Sequence, residues 1–434
     1  MAELADPQPA PPSARRAAFI FIFITLALDM LALGIIVPVL PKLIVEMRGG
    51  DEVSAAHWVG LFSTLWAVMQ FLAMPIIGAL SDKVGRRPII LLSNFGQGAD
   101  YVLMALAPNL WWLLVGRLIS GVTTASVSTG FAYVADVTPP EKRAGAFGAL
   151  GAAFGLGFVI GPALGGVLGE MDPRLPFWLA GGLSMLNGLY GLFVLPESLA
   201  PGKRGGFSWG KANPIDAFAL LRAQPRLLGL ASVKFLNDVA HVVYPTTFAL
   251  YFFHKFEWTE RGVGLFLAAV GAASIVVQAG LVGRIVKAIG ERRALLIGLF
   301  SGAAGFVIYA LAPEGWVAFI GVVFAAFWGL AGPSGQALMS RRVGASEQGR
   351  LQGALSSLTG VAGLIGPTLF TGVFAYFISS AAPVQFAGAA CLVAAACVAL
   401  SLPIALVAAR EEVREPVADG RAEHGGSPRS ADPG

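Results

Sequence analysis

The chain consists largely of long apolar runs separated by short polar segments. Each run approaches or exceeds the length of about 20 residues that an α-helix needs to cross the hydrocarbon core of a bilayer. The strands of a membrane barrel would instead be short and would alternate apolar and polar positions. The pattern therefore predicts an all-α membrane protein with twelve transmembrane helices at 17–45, 56–80, 88–107, 110–135, 144–169, 175–195, 227–253, 262–286, 293–312, 314–340, 351–377 and 382–408.

A segment rich in Gly, Lys, Arg and Pro separates the first six predicted helices from the last six. The polar, Pro- and Gly-rich composition of the C-terminal tail favours disorder. The predicted organisation is a disordered cytoplasmic N-terminus (1–16), an N-terminal six-helix bundle (17–195), a cytoplasmic central linker (196–226), a C-terminal six-helix bundle (227–408) and a disordered cytoplasmic tail (409–434).

Several sequence features repeat in the two halves at one offset. Gly85 and Gly290, each followed by a basic pair, are 205 residues apart. The same offset relates Ala-Leu-Ala-Pro at 105–108 to its copy at 310–313, and Gly161-Pro162 to Gly366-Pro367. The chain is therefore predicted to be duplicated, with two bundles related by a pseudo-two-fold axis. In secondary transporters built this way, the substrate binds near the middle of the membrane between the repeats.

Composition narrows the function classes. Of the 434 residues, 56% are hydrophobic and 13% are charged, whereas soluble domains carry about 25% charged residues. The net charge of +4 does not indicate nucleic-acid binding, because the basic residues lie in short loops without interleaved aromatic residues. Walker-type and metalloprotease motifs are absent from the sequence. We therefore expect a transporter rather than an enzyme, with no metal site and no cofactor.

The basic loop residues also predict the orientation. Most of the Lys and Arg residues in short loops fall on the side of the N-terminus, and the exceptions are Lys42, Arg48, Arg174, Lys255 and Arg261. Cytoplasmic loops carry an excess of Lys and Arg. Both termini and the central linker are therefore predicted to be cytoplasmic.

Three charged residues lie inside predicted helices of the first half, at Asp29, Asp100 and Arg117. A charge at the centre of a bilayer costs about 2.5–3.5 kcal/mol on insertion scales, so each is a candidate functional residue. A carboxylate that is both buried and close to an arginine can load and release a proton as water access changes. The alternative is a static pair in which Arg117 and one of the acids hold two helices together.

Predicted helix 7 carries a second group, in which Lys234, Asp238 and His241 lie on one face. The acid and the histidine are candidates for proton or substrate handling, and the alternative is a neutralised Lys234–Asp238 pair. Gln70 and Gln336 are candidate residues of the substrate cavity, although hydrogen bonds between helices would explain them equally well.

The charged turn between predicted helices 2 and 3 is a candidate gating loop. Asp82 is predicted to meet the positive N-terminal end of a helix from the other half, and Arg86 is predicted to meet Asp136 at the end of helix 4. Membrane topology alone would explain the cations but not the acid or the glycine spacing. The gating residues predicted here are Gly78, Asp82, Gly85, Arg86, Arg87 and Asp136.

Predicted helix 5 contains the glycines Gly157, Gly161 and Gly165, with Pro162 in mid-helix. Glycines four residues apart permit close approach of a second helix, and a proline bends the helix axis. Tight packing explains the pattern, and a hinge role is an additional hypothesis.

These segments resemble a known family. The segment Gly-x-x-x-Asp-x-x-Gly-Arg-Arg at 78–87 resembles the first motif of the major facilitator superfamily, Gly116-Arg117 with Gly121 resembles its proton-linked arginine motif, and helix 5 resembles the motif of drug/proton antiporters. The bacterial tetracycline/proton antiporters are a closer likeness. Their pattern is matched by Asp29-x-x-x-x-Gly34-Ile35-Ile36-x-Pro38, by Gln70, by Asp100-Tyr101 and by Pro333-x-x-Gln336-x-x-Met339-Ser340.

The resemblance implies the major facilitator fold over about residues 19–405, and it has consequences for individual residues. It places Asp29, Asp100 and Arg117 at positions tied to proton coupling and substrate binding, and Gln70 in the binding cavity. The tetracycline exporters also carry an acid in helix 9 and a histidine in helix 8. Both are missing here, at 301–303 and 273–275, so Asp238 and His241 are candidate substitutes.

The leading hypothesis is a proton-coupled exporter of amphipathic small molecules in the bacterial cytoplasmic membrane, working by alternating access. Proton-linked or facilitated uptake of a small nutrient on the same fold is the alternative. A third hypothesis, a sensor that transports nothing, would be marked by an added soluble domain, for which the tail is too short. The expected partners are a small-molecule substrate, protons and lipid, with no nucleic acid, and the expected state is a monomer.

Overall fold

The computed structural model describes residues 12–124, 127–139, 142–199, 204, 225–343 and 347–410. The predicted disordered termini and central linker therefore fall largely outside the described residues, at 1–11, 200–203, 205–224 and 411–434.

The described residues contain twelve helices that are long and apolar enough to cross a membrane, as predicted. Five of them are built from consecutive helical pieces, and one piece is π-helical. The helices are α1 (Pro12–Ile36 and Val39–Met47), α2 (Glu52–Val84), α3 (Arg86–Leu106), α4 (Leu110–Thr124 and Val127–Val137), α5 (Arg143–Met171), α6 (Leu175–Val194), α7 (Pro225–His241, Val243–Thr246 and Phe248–Phe256), α8 (Glu260–Ile275, the π-helix Val276–Leu281 and Val282–Ile289), α9 (Glu291–Leu311), α10 (Gly315–Trp328 and Ala331–Ser340), α11 (Gln348–Ile378) and α12 (Ala389–Ala408).

The largest difference from the predicted helices is at the start of α12. The hydrophobic pattern places this start at residue 382, whereas the helix begins at Ala389. The preceding residues form turns and contain Pro383, and the backbone N–H of Phe386 donates to the carbonyl of Phe377 at 3.0 Å. Apolar composition alone cannot distinguish such a packed loop from the first turns of a helix.

The duplicated glycines mark equivalent helix ends. Gly85 ends α2 with φ 112°, and Gly290 ends α8 with φ 80°. Both values lie in the left-handed region that glycine adopts without a steric penalty. The 205-residue repeat read from the sequence therefore corresponds to a repeated backbone turn.

The two halves, α1–α6 and α7–α12, meet mainly through α2 against α11 and α5 against α8. The internal repeat relates α2 to α8 and α5 to α11. The contact of α2 with α11 and the contact of α5 with α8 are therefore equivalent under the repeat. Both use a glycine facing the segment around a helix proline. A Cβ atom built on Gly264 would be 2.2 Å from the carbonyl oxygen of Pro162, and one on Gly60 would be 3.6 Å from that of Pro367.

The described residues pack the halves together more closely toward one end of the bundle than toward the other. We call the end with the loops at 84–86 and 137–143 the basic end, and the opposite one the far end. On the far-end side of the middle of α2, the hydroxyl oxygens of Thr64 and Thr368 are 2.8 Å apart across the interface. At the basic end, a Cβ atom on any of six glycines of α2, α5 and α8 would have no described atom within 4 Å, and these are Gly78, Gly145, Gly148, Gly151, Gly280 and Gly283. The described parts of the two halves are therefore less closely packed toward the basic end.

Candidate functional site

Asp29 lies inside the N-terminal half, on the inner face of α1. Its side chain is buried, and it lines a small cavity together with Thr25, Ile90, Asn94 and Gly130. No ion pair or hydrogen bond joins its carboxylate to another described residue. The acid therefore lies in the interior of the N-terminal half.

Asp100 is equally deep, on the face of α3 that packs against α4. A Cβ atom built on Gly116 would be 2.7 Å from Asp100 Oδ1, so the glycine of the Gly116-Arg117 motif gives the carboxylate its space. Arg117 and Ser120 lie beside this carboxylate. Both carboxylate oxygens are buried and neither is hydrogen bonded to a described residue.

The static pair considered as an alternative is absent from this conformation. Among the described residues no cation lies within 4 Å of Asp100 or Asp29, and Arg117 Nε is buried without a hydrogen-bond partner. Arg117 thus acts on Asp100 only electrostatically, without a direct contact. Arg117 Nε and both carboxylate oxygens of Asp100 have no hydrogen-bond partner among the described residues.

Sequence reasoning missed several polar residues around these acids. Asn94 and Gln97 on α3, Thr129 on α4 and Asn187 on α6 are all buried, and each has a polar side-chain atom without a partner. Thr25 donates a hydrogen bond to Asn187 Oδ1 at 3.2 Å. The sequence did contain one sign of this group. Asn94, Gln97 and Asp100 are three residues apart and share one face of α3.

The second half carries an ion pair at the predicted place on α7. Lys234 Nζ is 2.6 Å from Asp238 Oδ2. Thr359 of α11 joins the pair, since its hydroxyl donates to Asp238 Oδ2 at 2.6 Å and lies 2.9 Å from Lys234 Nζ. The alternative of a neutralised pair is therefore what the geometry shows, with a hydroxyl from a neighbouring helix as a third member.

His241 lies at the break in α7 and is not hydrogen bonded to Asp238 among the described contacts. Its exposed ring packs beside Tyr244 and Trp328, with ring centroids 5.6 and 5.8 Å away. Trp328 Nε1 donates to Asn237 Oδ1 at 2.6 Å. The relay from Asp238 to His241 is thus not assembled here, and the histidine belongs to an aromatic wall.

Trp328 of this aromatic wall also packs against α9, at the segment that lacks an acid. A Cβ atom built on Gly302 would be 2.5 Å from Trp328 Cδ1, so the indole of Trp328 packs directly on the backbone of α9. The segment at 301–303, where the family resemblance implies an acid, is therefore covered by a tryptophan.

The two glutamines lie on different helices, Gln336 on α10 and Gln70 on α2. Gln336 Nε2 donates to Gln352 Oε1 at 2.9 Å, which links α10 to α11 near the basic end. Gln70 is half-buried on α2, where the backbone of α4 approaches closely at Gly121. Hydrogen bonding between helices, the alternative for these residues, is present for Gln336.

The gating loop forms a charged cluster within the first half. Arg86 is 2.6 Å from Asp82 and 3.3 Å from Asp136, so the anticipated contact between Arg86 and Asp136 is present. The anticipated contact of Asp82 with a helix of the other half is wrong for this conformation. Because the basic ends of the halves are apart, the carboxylate of Asp82 turns back to Arg86 on its own loop.

Glu197, which the sequence did not single out, caps the start of α3. Its carboxylate accepts hydrogen bonds from the backbone N–H groups of Arg86 at 2.9 Å and Arg87 at 3.3 Å. A Cβ atom on Gly85 would be 2.2 Å from Glu197 Oε2. Gly85 is therefore required both for its backbone conformation and for the approach of this cap, and Arg87 is held by a hydrogen bond to the carbonyl of Leu192 at 2.7 Å.

The glycines of α5 pack against α1. Cβ atoms on Gly157 and Gly161 would each lie 2.7 Å from a backbone atom of α1, and one on Gly165 would lie 1.9 Å from the carbonyl oxygen of Ile35. Pro162 faces Gly264 of α8 on the other side. Helix α5 is thus wedged between a helix of its own half and one of the opposite half.

The sequence is similar to known proteins along most of its length. Residues 22–367 match the family described as Major Facilitator Superfamily. The chain is 37% identical over 386 residues to the class C tetracycline resistance protein of Escherichia coli, covering 89% of this chain and 96% of that protein. It is 39% identical over 365 residues to the class G tetracycline resistance protein of Vibrio anguillarum, covering 83% and 91%.

The fold is similar to that of solved transporters. A bacterial homologue of the human lysosomal transporter Spinster, solved in an inward-facing and unoccupied conformation, superposes with a TM-score of 0.74 at 17% identity, covering 92% of this chain and 98% of that one. At this identity the likeness concerns the fold alone. Together, the twelve helices in two halves, the match over residues 22–367 and the identity to full-length relatives show that the chain belongs to the major facilitator superfamily of membrane transporters.

Proposed function

We propose that this protein is a proton-coupled exporter of amphipathic small molecules that works by alternating access. The observation that carries the proposal is the burial of Asp29 and Asp100 without a cation within 4 Å or a hydrogen bond. An ionised carboxylate without a partner is costly in a protein interior. Such a group is therefore suited to hold a proton in one state and release it in another.

The proposed transport cycle places protons and cargo at different sites. Asp29 and Asp100, with Arg117 beside Asp100, exchange the proton. The space between the halves takes the cargo, against a wall of polar and aromatic side chains that includes Asp238, His241, Gln336 and, across the space, Gln70. Protonation from outside favours release of cargo outward, and deprotonation toward the cytoplasm resets the protein. The energy source is the proton gradient, with no cofactor.

The proposed gating elements are the charged loop and helix α5. The cluster of Asp82, Arg86 and Asp136 closes the basic end when the halves approach, with Gly78 at the contact surface and Gly85 and Arg87 holding the turn. Gly157, Gly161, Pro162 and Gly165 keep α5 close to α1, so that α5 moves as part of its half while it slides against α8.

The basic end is proposed to face the cytoplasm, because Lys and Arg residues accumulate in cytoplasmic loops. This orientation puts both termini in the cytoplasm and makes the conformation described here open to the inside. The similarity to proteins named for tetracycline resistance supports a bacterial cytoplasmic membrane as the location and an amphipathic drug as the cargo. Tetracycline is the first compound to test.

The direct test is a drug-susceptibility panel in an efflux-deficient host, comparing wild type with Asp29→Asn and an empty vector. Wild type is expected to raise resistance to tetracycline or to another amphipathic compound, and Asp29→Asn is expected to lose that resistance. In everted vesicles with an acidified lumen, the same compound is then added outside. Export coupled to protons is expected to release protons from the lumen. If wild type protects against no compound and instead drives proton-linked accumulation of a nutrient, the export proposal is wrong and uptake replaces it.

A further inference from the structure

We propose that protons reach Asp100 through an internal hydrated path inside the N-terminal half, formed by Asp29, Asn94 and Gln97. This inference rests on the proposed function, since it specifies how the proton moves. Asn94 and Gln97 of α3 thereby have a role that the family resemblance does not give them. The proton route is then separate from the space between the halves.

The first observation is the cavity beside Asp29. It is lined by buried residues of α1, α3 and α4, and the centre of a water molecule can occupy about 10 Å³ of it. That volume is at the lower limit for one water with polar partners. Asp29 and Asn94 supply such partners from α1 and α3, and Thr25 also lines the cavity.

The second observation is a buried polar stripe on α3. Asn94, Gln97 and Asp100 are 1–2% exposed, and each carries at least one side-chain atom without a hydrogen-bond partner among the described residues. Their spacing places them on one face of the helix. At a rise of about 1.5 Å per residue, the stripe runs about 9 Å along the helix axis, from the cavity of Asp29 to the contact of Asp100 with Gly116.

Unpaired polar groups in a protein interior each cost about 1–3 kcal/mol. Several such groups in line are therefore hard to explain as packing, because apolar residues of similar size would fill the same space without this cost. Water molecules that bridge Asp29, Asn94, Gln97 and Asp100 would satisfy these donors and acceptors. A continuous series of hydrogen bonds of this kind also allows a proton to pass from one carboxylate to the other.

The charged and titratable groups near this path are few. From α1 it is faced by Asp29, from α3 by Asp100 and Tyr101, and from α4 by Arg117. Asn187 of α6 contributes a further unpaired amide group. The ion pair of Lys234 and Asp238 belongs to the other half, so cargo bound there would not interrupt the proton path.

The test follows the protonation of the two acids directly and needs no cargo. Purified protein in lipid nanodiscs is subjected to a rapid pH change, and the infrared carbonyl band of protonated carboxyl groups is recorded over time. Asp29→Asn and Asp100→Asn identify the contribution of each acid. Wild type is compared with the double variant Asn94→Leu/Gln97→Leu, which replaces the amide groups by apolar ones.

We expect the double variant to protonate Asp100 at least about tenfold more slowly than wild type, while Asp29 itself still titrates. Asn94→Ser, which keeps a hydroxyl group and leaves room for a second water, should retain the wild-type rate. Thr246→Val, which removes a buried hydroxyl in the other half, is the matched control and should also retain it. If the double variant folds poorly, the single variants Asn94→Leu and Gln97→Leu take its place, and each should slow the protonation of Asp100.

An unchanged Asp100 rate in the double variant, or an Asn94→Ser rate as slow as that of the double variant, would overturn the hydrated path. Either result would leave the proposed function standing. Absence of any titrating carboxyl band in wild type would contradict both, because neither acid would then exchange a proton.

Discussion

At Gly116 the absence of a side chain determines where Asp100 can lie. The carboxylate occupies the volume that a Cβ atom would take, and it stays beside Arg117 without forming an ion pair. A contact ion pair favours the ionised form of a carboxyl group, and it does so less at greater distance. In the proposed function, Gly116 therefore matters because it sets the distance between Asp100 and Arg117.

Asp100→Asn should abolish proton-driven transport while leaving the protein folded. The amide fills the same space beside Gly116 but cannot take up a proton at neutral pH. The measurement is cargo uptake into everted vesicles with an imposed pH gradient, with exchange of labelled for unlabelled cargo without a gradient as the control. Gradient-driven uptake at the wild-type level would contradict a proton-carrying role for this residue.

Gly85→Ala should destabilise the protein more than Gly290→Ala, although both glycines occupy equivalent turns with positive φ. Each substitution costs about 1–3 kcal/mol, because positive φ combined with ψ near 160° is a conformation that essentially only glycine adopts. Only at Gly85 does the new methyl group also displace the Glu197 carboxylate that caps α3, which adds about 1 kcal/mol. Thermal unfolding in detergent compares the two variants, and equal melting temperatures would show that the Glu197 cap contributes little.

At the scale of the helices, α5 is the element with the least freedom. Its glycines bring α1 within backbone contact on one face, and the carbonyl of Pro162 meets Gly264 of α8 on the other. The corresponding proline of α11 lies near Gly60 of α2, so the two elements that hold the halves together use the same device. In the proposed transport cycle, a small contact residue leaves little surface to interlock and so allows one helix to slide past the other.

Gly165→Ala should weaken the packing of α1 against α5, because its methyl group would meet the carbonyl oxygen of Ile35 at 1.9 Å. Overpacking of this kind costs about 1–3 kcal/mol. Gly182→Ala on α6 is the matched control, since no atom lies within 4 Å of its new methyl group. The readout is the melting temperature together with the yield of monodisperse protein, and a Gly165→Ala variant as stable as the control would contradict the close contact.

At the scale of the whole molecule, the two halves touch at the far end and separate toward the basic end. Thr64 and Thr368 meet across the α2–α11 contact, and Glu52 of α2 pairs with His254 at the end of α7. A Cβ atom built on the glycines at the basic ends of α2, α5 and α8 would meet no described atom within 4 Å. In the proposed transport cycle, these glycines supply the surface that closes the basic end when the far end opens.

A Thr64→Cys/Thr368→Cys pair should cross-link on oxidation in a background without Cys391 and Cys397. The two hydroxyl oxygens are 2.8 Å apart, which brings the Cβ atoms close to the range that a disulfide spans. Transport should stop in the oxidised protein and return on reduction, because the far end can no longer open. Each single cysteine variant serves as the control. An oxidised double variant that transports normally would exclude opening between α2 and α11.

Much of the candidate site was visible in the sequence, because its members are rare residues in apolar surroundings. Asp29, Asp100, Arg117 and Asp238 stand out for this reason alone. Asn94 and Gln97 were missed because an uncharged amide stands out less than a charge in an apolar helix; their spacing from Asp100 was a weak signal, which their shared burial makes clear. Glu197 could not be found at all, since its partners at Arg86 and Arg87 are more than one hundred residues away in the chain.

The sequence by itself determined the twelve spans, the duplication and the candidate acids. These properties depend on local hydrophobicity and on the cost of a charge in lipid, both of which can be read one segment at a time. Only the tertiary structure decided which helices join the halves, that Asp82 faces its own loop, and that Asp100 lies beside Arg117 without pairing with it. These features depend on distances between segments far apart in the chain, and on a packing that leaves one end of the molecule closed and the other open.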